Sequence, residues 1–285
     1  MESGNPRSGV APASARPNTF QALSSLPPLS AVAINLQRLT QEDVDMRIVA
    51  DAISIDPALS ADVLRLANSA LFGARHAVPG VLHAIVMLGL ERVKTLVITA
   101  AFMRFATPHC DPGVQKRCWR HSVASALIAD EFSHYTNIDR DAAYTAGILH
   151  DIGRFALLRL WPKTYQAILD SAVPGDLSVL DWEREAFGMD HTDAADFLLR
   201  TWDFPLQLIS AAKQHHDCVR ASKREPSGIL QFACLTADAL GFAAHGGHGE
   251  TTEGVPAAVS DWVAGGPEQL HLRVATRMNA LEVWL

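Results

Sequence analysis

Cysteine is scarce in this chain of 285 residues: Cys110, Cys118, Cys218 and Cys234 are all there is, and no two form a CxxC pair. Four thiols are too few to staple a protein of this size, so the expectation is reduced cysteines in an intracellular protein. Long apolar runs are missing too. The most apolar stretch, Val93 to Phe105, is broken by Lys94 and Arg104, whereas a membrane span needs about 20 apolar residues in succession. The N-terminus, MESGNPRSGVAPASARPN, lacks the apolar centre of a secretory signal, and a cytoplasmic location follows as an expectation. Positive charge is in deficit, with 24 Lys and Arg against 31 Asp and Glu. Broad nucleic-acid binding needs a basic face that displaces counterions from phosphates, and this balance argues against it while leaving room for a small basic pocket. Strand-length alternation of period 2 is absent as well.

What is present is apolar content in a helical rhythm. Hydrophobic residues make up 48% of the chain, enough to build a large core. Met46, Val49, Ala50 and Ile53 recur at the spacing of one buried helix face. Asp56-Pro57 is a helix start, Asp capping free amides and Pro occupying the first helical position. The helix that follows places Leu59, Val63, Leu66, Ala67 and Ala70 on one face and ends at Gly73. Further helices are predicted over 81–88, 91–106, 114–135, 140–150, 162–172, 182–187, 191–202, 205–215 and 228–241, with a short helical tail beyond. The turn-rich PHCDPG at 108–113 is a subdomain boundary. The fold is predicted to be all-α, with about a dozen helices. Residues 1–21, rich in Pro, Ala, Ser and Gly, read as a flexible tail. The segment 56–73 could pass for a DNA-binding helix pair, but it carries no cluster of Lys or Arg.

Several of the 12 histidines fall at predicted helix ends. His121 opens a helix after Trp119-Arg120, His150-Asp151 closes another before Ile152-Gly153, His191 precedes a helix start, and His215-His216 ends one. Asp238 lies in a later apolar helix. A single such His is ordinarily a hydrogen-bonded or exposed residue. The ordered ensemble is different, because imidazoles and carboxylates from several helices can converge in a bundle and hold a divalent transition metal. A carboxylate can then bridge two metals and a bridging water becomes a nucleophile near neutral pH. Arg154 is either a solvated helix-end cation or a phosphate ligand. Asp56 reads as a cap, Asn68-Ser69 as a loop-ordering pair, and Cys118 and Cys218 as small filler or thiolate ligands.

His121, His150-Asp151 and Asp238 resemble the H…HD…D signature of HD-superfamily metal-dependent phosphohydrolases, and His191, His215 and His216 resemble the added ligands of its two-metal cyclic-dinucleotide phosphodiesterase branch. The N-terminal half points to a relative of that group. Leu26-Pro27-Pro28-Leu29, Ile55-Asp56-Pro57-Ala58-Leu59, the run from Leu64 to Gly73, and Ala84 to Gly89 are similar to the HDOD domain, the HD-related output domain of bacterial signalling. Trp119 to Ser122, Gly147 to Gly153, Glu185 to His191, Trp202 with Pro205, and His215-His216 continue the pattern.

That resemblance implies an HDOD domain over residues 22–218, with an N-terminal helical layer at 22–107 and an HD-like core from 112. A C-terminal extension over 219–285 would complete the core to about 242. It implies a regulatory protein acting on other signalling proteins, with no membrane partner. Many HDOD domains have eroded metal-ligand positions, but this chain keeps the whole series, and its resemblance to the phosphohydrolases implies a metal site of His121, His150, Asp151, His191, His215, His216 and Asp238 that takes one or two ions of Fe, Mn, Zn, Co or Ni. The alternative is a metal-dependent phosphohydrolase acting on a nucleotide, cyclic or linear, in which Asp151 and Arg154 serve catalysis. The chain departs from the phosphodiesterase branch in two places: Asp217-Cys218-Val219-Arg220 stands where a Gly-Tyr-Pro loop would follow, and Arg154 stands in place of Lys. The family pattern also places a carboxylate at Glu185, on a helix face that otherwise reads as solvated.

Overall fold

Asp56 accepts hydrogen bonds from the amides of Ala58 and Leu59, so the Asp-Pro pair starts a helix as its chemistry requires. The computed structural model describes residues 18–37, 45–69, 77–106, 111–172, 177–217, 226–246, 259, 263 and 265–282. Its elements are α1 (Thr19–Ser24), α2 (Ala31–Gln37), α3 (Met46–Ser54), α4 (Pro57–Asn68), α5 (Val81–Leu88), α6 (Leu90–Phe105), α7 (Pro112–Ser133) and α8 (Arg140–Leu149). They continue as α9 (Ile152–Leu160), α10 (Pro162–Ser171), α11 (Ser178–Phe187), α12 (His191–Thr201), α13 (Leu206–Gln214), α14 (Pro226–Ala239) and α15 (Gly266–Glu282). Every regular element among the described residues is a helix, as the periodicity predicts. Ala70, Gly73, Cys110 and Cys218 lie outside the described residues.

Helix α6 is apolar around most of its circumference and correspondingly buried, from Val93 through Phe102. It packs on α2, α4 and α5 on one side and on α8 on the other. Arg104 on α6 also reaches Asp56 and Asp62 of the α4 region. Asn68 closes the loop after α4: its side chain donates to the Val78 carbonyl and accepts from the Val78 amide. This is the loop-ordering use expected of it. In the other half α7 is the axis, packing against α8, α14 and α15, while α12 packs on α9 and α13. One continuous cluster of buried apolar side chains runs from Leu23 to Met278.

Helix α4 ends at Asn68 with Ser69 as its cap, not at Gly73, and two further expectations change. The stretch read as a tail to residue 21 already contains the start of α1, where Leu23 is buried, Thr19 donates to the Phe187 carbonyl and Phe20 packs edge-on against Phe197. Those contacts offset the ordering cost that composition alone suggested the segment could not meet. Helix α9 is the second difference. No helix is predicted between 150 and 162, yet the chain re-enters a helix directly after Asp151 and buries Ile152, Phe155, Ala156, Leu157 and Leu158. No helix among the described residues is long and apolar enough to cross a membrane.

Candidate metal centre

Two glycines set how closely the helices carrying the histidines approach. A Cβ on Gly147 would lie 2.4 Å from the Ala126 Cα, so α8 lies almost in backbone contact with α7. A Cβ on Gly153 would lie 2.0 Å from the His191 carbonyl oxygen, so α9 meets the start of α12 just as closely. His150 caps the end of α8 and Asp151 is the residue from which α9 starts. His191 begins α12 behind a capping box of Asp190 and Asp193. His121 lies within α7, His215 and His216 follow α13, and Asp238 lies near the end of α14.

All seven residues come together, and Asp151 is their centre. Its Oδ1 lies 3.4 Å from His191 Nε2 and 3.5 Å from His215 Nε2. Its Oδ2 lies 3.5 Å from His150 Nε2 and 3.7 Å from His121 Nε2. The two oxygens thus face two different sets of imidazoles. His216 Nε2 adds to the first set, 3.1 Å from His191 Nε2, and Asp238 Oδ1 lies 3.2 Å from His121 Nδ1 in the second.

The other nitrogen of each central ring is held by an acceptor. His150 Nδ1 lies 2.7 Å from the Gly147 carbonyl, His215 Nδ1 2.7 Å from the Ala212 carbonyl, and His191 Nδ1 2.7 Å from Glu183 Oε2. Acceptors at Nδ1 assign the proton there, which leaves the Nε2 lone pairs directed at Asp151. Burial holds His150 and His216 well below the ordinary imidazole range, and it also lowers His215 against the pull of Asp151. Burial opposes charge on His121 too, but there Asp238 and Asp151 outweigh it and raise the ring well above that range. Burial would raise the Asp151 carboxyl, but Arg154 and the imidazoles hold it well below the carboxylate range. Neutral His150, His215 and His216 beside the Asp151 anion are in the protonation states that metal ligation needs, whereas His121 must give up a proton on binding.

His150 Nε2, His215 Nε2 and Asp151 Oδ1 are buried and have no hydrogen-bond partner. Each such orphan costs about 1–3 kcal/mol, and metal ions facing these atoms would satisfy them. The donors therefore fit a divalent metal.

Arg154 is buried, so the solvated reading does not describe it. Its Nε donates to Asp151 Oδ2 at 2.8 Å and its Nη1 to the Tyr165 hydroxyl at 3.3 Å, while Tyr165 donates to Glu183 at 2.7 Å. The carboxylate that serves the site is thus Glu183, fully buried, and not the exposed Glu185. Sequence reasoning also missed Cys234 and His245. The Cys234 sulfur and one ring nitrogen each of His121 and His150 lie within 4.8 Å of one another. His245 is buried with Nδ1 unpartnered, and burial, with Arg154 nearby, lowers its pKa to about 4. The signal for Cys234 was available, since it precedes Asp238 by one helical turn and so shares its face.

Fold and cluster together define an all-helical protein of the HD type. The chain belongs to the HDOD domain family, which it matches over residues 26–218. Among solved structures it is similar to an HDOD domain protein of unknown function from Geobacter sulfurreducens. That likeness has a TM-score of 0.72 at 20% identity and covers 94% of this chain and 98% of the other. A candidate phosphohydrolase from Shewanella amazonensis gives a TM-score of 0.65 at 24% identity, covering 94% and 95%. A candidate signal-transduction protein from Marinobacter aquaeolei gives 0.65 at 23%, covering 90% and 57%. At these identities the likeness is one of fold. An uncharacterised protein of Treponema pallidum is 24% identical over 221 residues, which is 75% of this chain. The chain spans 42% of that relative's length.

Proposed function

We propose that this HDOD protein is a signal-transduction module that acts through contacts with other signalling proteins and carries a metal centre in its HD-like core. The residues that would hold one or two ions of Fe, Mn, Zn, Co or Ni are His121, His150, Asp151, His191, His215, His216 and Asp238. The observation that carries the metal reading is the set of buried, unpartnered atoms on His150, His215 and Asp151. A bound ion would tie together α7, α8, α9, α12 and α13, so its presence would be coupled to helix arrangement. Support for the protein-contact reading comes from the N-terminal layer. There Ile48 and Ile55 on the α3 side and Val86 and Met87 on α5 are exposed, and such apolar surface marks interaction sites.

The second reading is a metal-dependent phosphohydrolase acting on a nucleotide. It is favoured by the two-sided exposure of Asp151 to separate imidazole sets, the arrangement of a two-metal hydrolase, and Shewanella amazonensis relatives of the fold are candidate phosphohydrolases. Bound metal would supply an activated water in that case. The regulatory reading is preferred because His150, Asp151 and Arg154 are turned away from solvent and the Arg154 guanidinium already serves Asp151 and Tyr165.

Elemental analysis of protein purified without chelator or nickel affinity resin is the test. About one or two equivalents of transition metal are expected, and less than about a tenth would sink the metal reading. Turnover of cyclic dinucleotides, guanosine polyphosphates or generic phosphodiesters with Mn, Fe or Zn, abolished by Asp151→Ala in a folded protein, would put the hydrolase first.

A further inference from the structure

We propose that His121, His150 and Cys234 form a metal position with a thiolate ligand, chemically distinct from the sulfur-free position made by His191, His215 and His216. The inference rests on the metal-centre reading above and gives that centre two unequal halves.

The donor atoms of His121, His150 and Cys234 lie within 4.8 Å of one another, and so do those of His191, His215 and His216. Asp151 stands between them and turns Oδ2 to the first group and Oδ1 to the second. The first position therefore offers two imidazoles, a sulfur and a carboxylate oxygen. The second offers three imidazoles and the other oxygen of the same carboxylate. A buried cysteine is ordinarily small apolar filler. Filler needs no free lone pair opposite it, yet His150 Nε2, fully buried, has no partner. Cys234 is in no disulfide, is buried, and has its sulfur within 4.8 Å of a ring nitrogen of His121. Cys118, also buried, belongs to none of these donor groups among the described residues. Cys234 lies on α14, beyond residue 218 where the family match ends, so the extension supplies this ligand.

Sulfur changes which ion is preferred. Thiolate with imidazole suits a borderline-soft cation such as Zn²⁺ or Co²⁺, whereas imidazole and carboxylate alone also accept harder ions. On loading, the thiol loses its proton to solvent and the sulfur bonds the cation, with no change of oxidation state.

The test uses the full 285-residue chain, stripped with chelator and reloaded with Co²⁺. A near-ultraviolet sulfur-to-cobalt charge-transfer band is expected, together with the weaker visible bands of imidazole-bound cobalt. Cys234→Ser should abolish the charge-transfer band and keep the visible bands, while Cys118→Ser and Cys218→Ser keep both. Zn K-edge X-ray absorption on the unmodified, zinc-loaded chain should find a sulfur scatterer at about 2.3 Å, a measurement that stands even if Cys234→Ser fails to fold. Cobalt bound without the charge-transfer band, a band that survives in Cys234→Ser, or a zinc shell of nitrogen and oxygen alone overturns the thiolate position and leaves the metal centre standing. Failure to take up either metal overturns both.

Discussion

Arg154 Nε lies 2.8 Å from Asp151 Oδ2 at the start of α9, and both side chains are buried. The carboxylate that faces four imidazoles is therefore already paired with a fixed cation. From Arg154 the bonding continues through Tyr165 to Glu183 and on to His191 Nδ1. His191 is thus oriented twice, by its own approach to Asp151 and by a chain of buried polar groups that begins at the same aspartate.

Removing that cation exposes what it balances. In chelator-treated protein, Arg154→Ala leaves a buried carboxylate without its partner and should cost about 3–5 kcal/mol of stability. Arg154→Lys keeps the charge but not the planar fork, so its loss should be smaller. Urea unfolding of the metal-free proteins measures both. A loss below about 1 kcal/mol for Arg154→Ala would show that Asp151 is not anionic in the folded chain.

Glu183 and Glu185 separate a residue that holds His191 from one that faces solvent. Glu183 accepts from both the backbone amide and Nδ1 of His191. Glu183→Gln should weaken metal binding about 10–100-fold by loosening that ring. Glu185→Gln should leave affinity unchanged. Titration with a competing chelator reads both constants, and equal affinities for the two variants would remove Glu183 from the site.

Gly153→Ala tests the close approach of α9 to α12. The new Cβ would meet the His191 carbonyl oxygen at 2.0 Å, a backbone atom that cannot swing aside. The helices must part, at a cost of about 1–3 kcal/mol or more, and His191 must move with α12. Thermal unfolding should show the loss and elemental analysis a reduced metal content. Wild-type metal content in a destabilised variant would mean that His191 is not needed to hold the ion.

Acid sensitivity is expected at a place remote from the cluster. Asp130 on α7 is bonded by Arg140 and by Arg277 of α15, with Arg277 Nη1 at 2.9 Å. Burial would raise its carboxyl, but the two guanidinium groups prevail and hold it below the usual value. A depressed folded value stabilises the protein above the unfolded pKa of about 3.9, and the contribution is lost as pH falls from there through the folded value. Asp130→Asn should therefore be less stable than the parent at neutral pH, and the gap should shrink below about pH 4. Urea midpoints at several pH values decide it, and a gap that stays constant to low pH would contradict the assignment.

Much of the helical plan was legible because capping and periodicity are local. The Asp56-Pro57 start of α4 and the Gly89 end of α5 appear where side-chain chemistry and backbone freedom put them. Helix α9 was not legible, since His150-Asp151 reads as a helix close and nothing local shows that Gly153 serves contact with α12.

The order of the histidines, the HD pair and the family were determined by the sequence itself, because motif residues and their spacing are properties of the chain. Tertiary structure decided which neighbours serve them. Glu183 and Glu185 differ by about 200° around one helix, and only the packing of α11 says which of them is inside. Likewise the helical spacing puts Cys234 on the face of Asp238, but only the packing of α14 on α7 brings that face to His121 and His150.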